Sequence, residues 1–244
     1  MRSIDKGPEP AELSAWKARN AATPRHLRYD GIGFPREAVR RALLLEQRHL
    51  CAYTMQALLT AKQCERRGWH TGFACHIEHF LPQARQIAAE SIDYRNMLAC
   101  HPPSMPGVYC GYGAQHKAAY DPAGQAFVSP LSADAASHFA FHGDGRVLGL
   151  SEAGRNSVHV LNLNHPALVH ARQAAISHAL RPRANVSLSP QAARKLAAAV
   201  LRAEGRERLP AYCVAIAQAA LKYAEREERR AARRAAAPSA AHAD

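Results

Sequence analysis

The chain has 244 residues, 48% of them hydrophobic, with six cysteines and 32 Lys and Arg against 20 Asp and Glu, a formal charge of +12. That is enough chain to bury a core, and the cysteines are too sparse and irregular for a secreted disulfide framework. With no apolar run of about 18 residues and no signal-peptide-like start, a cytoplasmic protein without a membrane partner is expected.

The basic excess sits at the ends, +4 over 1–50 and +5 over 181–221, against +1 over 51–130 and 0 over 131–180. A near-neutral centre with basic flanks suits a protein that holds a polyanion at its periphery while a metal neutralises charge at its centre. Residues 1–35 read as an arm carrying one short helix over 11–20, docked through Leu13 and Trp16. From Pro35, at a first helical position, a helix carries Val39, Ala42, Leu43 and Leu45 on one stripe and ends near His49 and Leu50. Residues 62–72 read as a polar segment that ends in a loop over 68–72. Residues 73–80 alternate as a short strand does, and Pro82 stops it. Residues 91–98 read as a loop anchored by Met97 and Leu98, 101–107 as a proline-rich insertion, and 114–119 as a short helix. Segments 127–131, 139–141 and 146–149 read as strands, the last two joined by the turn His142-Gly143-Asp144-Gly145. Asn164 is the expected cap of a helix running to about Leu180, with Leu168, Ala171, Ala175 and Ile176 inward. Ser189-Pro190 and Leu209-Pro210 open two more helices, reaching about Ala203 and Tyr223. Residues 225–244 read as a frayed basic tail, helix-prone but without an apolar stripe.

The chemistry concentrates between Cys75 and Lys117. Glu78-His79, then Asn96, then His116-Lys117 follow one another inside a loop-rich segment. Hydrolysis of a phosphodiester needs a water made nucleophilic, a cation on the scissile phosphate and stabilisation of the leaving oxygen. An imidazole of near-neutral pKa suits the first task, so His79 is the candidate base. Glu78 and His116 are the candidate ligands for Mg²⁺ or Mn²⁺, which leave positions open for water and phosphate. Asn96 is expected to accept the N–H of the base through its side-chain carbonyl, and Lys117 to pair with a phosphate oxygen. His101 is a rival to His116 as ligand, and His76 is a weaker rival better suited to structural hydrogen bonding. Glu78 and His79 are neighbours on a strand and diverge unless the strand ends or twists there.

These pieces resemble the HNH endonuclease family found beside retrons and in Septu anti-phage systems. The resemblance is carried by Leu50-Cys51-Ala52-Tyr53, Ile77-Glu78-His79-Phe80-Leu81-Pro82-Gln83, Tyr94-Arg95-Asn96-Met97-Leu98-Ala99-Cys100, Cys110-Gly111, His116-Lys117, Ser129-Pro130-Leu131 and Leu161-Asn162-Leu163-Asn164. It covers roughly 36–180, and the helices beyond carry little of it. The run from Glu78 to Gln83 is also similar to the HNH segment of RNA-guided DNA-cleaving enzymes.

The resemblance implies an α+β fold, a small ββα-metal (HNH) core over 36–130 embedded in a mainly helical chain. A hairpin and helix at 131–180 and C-terminal helices at 181–224 would pack around that core. It further implies Glu78 as metal ligand, His79 as general base, Asn96 as orienting residue and His116 as last ligand. The activity implied is cleavage of nucleic acid, DNA by preference, as effector of an anti-phage system. The partner would be an ABC-type ATPase, or a complex of retron reverse transcriptase and non-coding RNA. Relatives often carry a Cys-x-x-Cys zinc knuckle where this chain has Cys51 and Thr54. A structural Zn²⁺ could instead be completed by Cys100 and Cys110, with or without a His, beside Cys51. Three other readings stay open: cleavage of a structured RNA such as tRNA, a catalytically silent zinc-binding adaptor bridging nucleic acid and the ATPase, and a basic nucleic-acid-binding protein without metal.

Overall fold

Pro10 precedes the first helix, α1 (Ala11–Asn20), whose Leu13 and Trp16 lie three residues apart on one face and are buried. The computed structural model of the chain describes residues 1–68, 75–105, 108–181 and 187–236. The predicted loop and strand positions at 69–74, part of the predicted insertion at 106–107 and the tail at 237–244 lie outside them.

The second helix, α2 (Arg36–Glu46), buries Ala38, Val39 and Leu43, while Leu45 of the expected stripe is 54% exposed. It stops three residues short of His49, because Arg48 and His49 adopt φ of +52° and +57°, a left-handed conformation that no helix continues through. The chain reverses there into an antiparallel bridge between Leu50 and Ala57. The predicted polar segment opens with a short helix, α3 (Ala61–Glu65), stabilised by a reciprocal capping box between Thr60 and Gln63.

The central pair is β1 (His76–His79), followed by a short helix α4 (Ala88–Ile92), a 3-10 turn Tyr94–Asn96 and β2 (Met97–Cys100). The strands run antiparallel with His76 opposite Cys100 and His79 opposite Met97. In β1 burial alternates, with Ile77 and His79 inward. All four residues of β2 are buried, so it lacks the period-2 signature by which a half-buried strand is recognised, and the expected loop there is a strand. A short helix, α5 (Ala114–Lys117), follows.

Beyond Lys117 the predicted strand at 127–131 does not form. Its backbone is engaged singly: the Val128 N–H donates to Ser157 Oγ, and the Pro130 carbonyl accepts from Ile4 N–H. The predicted hairpin does form, as β3 (Phe139–Phe141) paired with β4 (Val147–Gly149). Ser151 caps an unforeseen helix, α6 (Glu152–Val160). His165, not Asn164, caps α7 (Pro166–Leu180), while the Asn164 amide makes two 2.9 Å bonds to the backbone of Val147. In α7, Leu168 and Ile176 point inward with Arg172, which is buried and donates to the carbonyls of Gly145 and Leu163. Ser189 caps α8 (Pro190–Leu201), and α9 (Cys213–Ala236) packs along it. α9 starts three residues after Pro210 and runs eleven residues past the point where the tail was expected to fray. Alanines and ion pairs such as Arg230–Glu227 sustain it there without an apolar stripe.

The architecture is therefore mixed α+β and mainly helical, with two small two-stranded antiparallel sheets among the described residues. One buried apolar cluster runs from Met1 to Ala224 and includes Leu13, Trp16 and Phe34 of the expected arm. Among the described residues no helix is long and apolar enough to cross a membrane.

Gln47 ties α2 to the central pair. Fully buried, its amide donates to the carbonyls of Leu50 and Ala99 and accepts from Ala99 N–H at 2.8 Å. Gln47→Ala leaves a buried N–H unpartnered and should lower unfolding free energy by about 1–3 kcal/mol in a denaturant titration. Leu45→Ala on the exposed side of α2 should leave the midpoint unchanged.

Candidate active site

β1 ends at His79, and the next residues turn away at Pro82, so Glu78 and His79 face one cleft of 260 Å³ despite sitting on opposite faces of the strand. Gln83, Ala118 and Ala119 close its sides. The divergence expected of strand neighbours is thus relieved by the strand's end.

His79 is buried and held at both ring nitrogens. Nε2 lies 2.9 Å from the Ser91 carbonyl, which can only accept, so Nε2 carries the proton. Nδ1 accepts from the Gln83 side-chain amide at 3.1 Å, and the ring meets the Tyr29 ring edge-on at 4.7 Å. Burial lowers the His79 pKa below 6.5, the Ser91 hydrogen bond opposes that shift, and the Lys117 charge adds to it. The neutral Nε2–H tautomer therefore presents an unprotonated Nδ1 beside Gln83.

Among the described residues Asn96 makes no hydrogen bond to the His79 ring. Its Oδ1 accepts from Leu81 N–H at 2.7 Å, and its Nδ2 donates to the carbonyls of Leu81 and Glu90 at 3.0 Å. The expected role of accepting the base's N–H falls to the backbone of Ser91, and Asn96 instead ties both ends of the loop that carries Ser91. It is a positioning residue acting through that loop.

Glu78 is nearly dry, and burial raises its carboxyl to about 7 against the pull of Lys117. Its Oε1 meets Lys117 Nζ at 3.0 Å and the Tyr53 hydroxyl at 3.4 Å. The Lys117 ammonium, itself fully buried, also donates to the His79 carbonyl at 3.2 Å. Lys117 was expected on a phosphate oxygen; it is committed instead to the base of the cleft. The other Glu78 oxygen accepts no hydrogen bond among the described residues, and 13% of the side chain stays open.

His116 was expected beside Glu78 and is not there. Successive residues on a helix point about 100° apart, so with Lys117 inward His116 projects outward, exposed, its Nδ1 2.9 Å from the Val160 carbonyl. His101, the rival, stacks on Tyr112, and burial lowers its pKa to about 4. His76 bonds the Pro102 carbonyl through Nδ1, the structural role foreseen for it.

The cysteines divide similarly. Cys51 and Cys100 are buried and hydrogen-bonded to each other, and Cys51 Sγ also accepts from His101 N–H at 3.4 Å. Cys110 is only half buried, its thiol donating to the Tyr112 carbonyl. Among the described residues no three or more His, Cys, Asp or Glu side chains gather to hold a metal. The donor set expected for structural zinc is therefore not brought together. A hard divalent cation makes a smaller demand, one or two carboxylates with the remaining positions filled by water and phosphate. Glu78 offers one carboxylate with an open oxygen, and His116 lies apart from it.

Three contributors carried no role in the sequence: Gln83, the Ser91 carbonyl and Tyr53. Gln83 and Tyr53 stand inside the quoted motif runs, which was their only signal; a backbone carbonyl leaves none. Comparison of the chain with protein-family models and with curated proteins gives no match.

Two readouts test the loop. In an imidazole NMR titration His79 should hold the Nε2–H tautomer and protonate only below 6.5, because burial disfavours the cation. Asn96→Ala should cost about 1–3 kcal/mol of stability and move that midpoint further below 6.5, because the Ser91 hydrogen bond that favours the cation loosens; an unchanged midpoint would separate Asn96 from His79.

Proposed function

We propose that the chain is an HNH-type endonuclease, hydrolysing phosphodiester bonds of nucleic acid at the cleft of Glu78 and His79. Its main support is the state of His79: one tautomer, neutral, with Nδ1 unprotonated and next to a carboxylate in the same cleft. The antiparallel pair that carries Glu78 and His79, followed along the chain by a short helix, supports the reading of a ββα-metal core.

In this mechanism Gln83 turns aside as substrate enters, and Nδ1 of His79 takes the proton of the attacking water while Ser91 stabilises the imidazolium through Nε2–H. Glu78 is the residue that would hold a Mg²⁺ or Mn²⁺ ion, whose chemistry is to polarise the scissile phosphate and stabilise the leaving oxygen. Lys117 favours the ionised form of Glu78 from inside the protein. Asn96 keeps the loop, and with it the His79 ring, from rotating. Contacts of this kind address backbone rather than bases, and DNA is the favoured substrate, with structured RNA as the other outcome. The resemblance over 36–180 extends the proposal to an anti-phage effector working with an ABC-type ATPase, in a retron or Septu setting.

The deciding measurement is cleavage of labelled duplex DNA, single-stranded DNA and tRNA by the purified chain, alone and with its ATPase, in Mg²⁺ or Mn²⁺. His79→Ala should lower the rate by about 10²–10⁴-fold, the share usual for a general base. Cutting that survives His79→Ala unchanged would remove the assignment, and no cutting of any substrate in either setting would remove the proposal.

A further inference from the structure

A second cavity, of 440 Å³, borders β1 at His76 and Ile77 and shares Ile77 with the cleft. Tyr29, Arg36, Arg40 and His76 line it, and no carboxylate does so among the described residues. Arg36 and Arg40 stand one turn apart on α2 and so share a face. Arg36 is the first residue of that helix, the end at which the helix dipole disfavours a cation. Its guanidinium donates to the Tyr29 carbonyl at 2.8 Å and lies over the Tyr29 ring at 4.9 Å. Burial lowers the Arg40 pKa, and the charge of Arg36 acts in the same direction. Two guanidinium groups and an imidazole line one cavity without a carboxylate among the described residues, a lining suited to an anion.

We propose that this cavity is a subsite for a backbone phosphodiester of the bound nucleic-acid strand, adjacent to the phosphate attacked at His79. It rests on the nuclease reading for the identity of its ligand. The connection is Tyr29, whose ring contacts His79 at 4.7 Å and Arg36 at 4.9 Å. His79 and Arg36 are thereby within about three nucleotides of one another at ~3.4 Å of strand axis per nucleotide. Arg36 and Arg40 are the guanidinium donors, suited by their forked N–H groups to phosphate oxygens.

The test is fluorescence anisotropy with labelled single-stranded DNA across a range of salt, using the full chain carrying His79→Ala so that nothing is cut. Adding Arg36→Gln and Arg40→Gln should weaken binding about tenfold or more at low salt. The slope of log K against log salt should fall by about 1.4, the value for two lost contacts on a single strand. Arg40→Lys alone should keep most of the slope, and Arg194→Gln on the distant α8 should leave it unchanged. If the double variant fails to fold, Arg36→Gln alone carries the test, with a slope change of about 0.7. Unchanged affinity and slope would overturn the subsite. So would inorganic phosphate that binds only while both arginines are present yet leaves the strand's affinity unchanged, since that marks a free-anion site. A reduced slope in a chain that never cuts keeps the subsite and removes the nuclease reading; cutting with an unchanged slope does the reverse.

Discussion

A carboxylate cannot be left charged and dry, and much of the central architecture answers that constraint at Glu78. The residue is carried on a strand whose partner, β2, is fully buried, so its side chain enters a region where water supplies little solvation. Lys117 brings the compensating charge from α5, and the same ammonium donates to the backbone of His79. One buried cation thereby ties the end of β1 to the helix. Breaking such a pair by removing one partner leaves an uncompensated charge, which costs more than the pair contributes while intact. The orientation of α5 follows, and with it the outward position of His116.

The second organising element is the loop from Phe80 to Asn96. Proteins hold a catalytic-type imidazole in one tautomer by giving its second nitrogen a fixed partner. Here the partner is a main-chain oxygen, which is only as well placed as its loop. Asn96 supplies that placement by acting as a small piece of sheet, donating and accepting with Leu81 and reaching across to Glu90. The Asn is thus an architectural residue with a chemical consequence at His79. On the other side of His79, Tyr29 connects the imidazole to the arginines of α2, so the basic amino-terminal part of the chain is packed against the site rather than trailing from it.

The cysteines illustrate how burial and chemistry separate. Five of the six fall between residues 51 and 110, yet Thr54 stands three residues after Cys51 and Cys110 turns to the Tyr112 carbonyl. Cys51 and Cys100 satisfy each other and nearby backbone donors instead. Thr54, buried, bonds Gln56 and contributes to the hydrogen bonding around Cys51, so the position retains a local structural task with a hydroxyl in place of a thiol.

Local pattern was sufficient wherever a segment's own chemistry decides its state. α1, the start of α2, the short α5, the hairpin at His142–Gly145 and the Ser189 cap are legible because proline, glycine and capping side chains act on the few residues beside them. The set Glu78, His79, Asn96 and Lys117 was legible too, as residue types suited to one chemistry; all four do lie around one end of β1 and its loop. Their roles were not. Whether His116 or Lys117 faces β1 depends on a helix rotation of one residue, decided by which side chain neutralises buried Glu78. β2 is hidden from sequence because a strand buried on both faces has no alternation to read. The Ser91 carbonyl carries no residue-type signal, being the same atom in every residue. The sequence by itself determined which groups are available and where the chain must turn; the tertiary structure alone decided which atoms meet, because burial makes each charge and each N–H find a partner from a distant part of the chain.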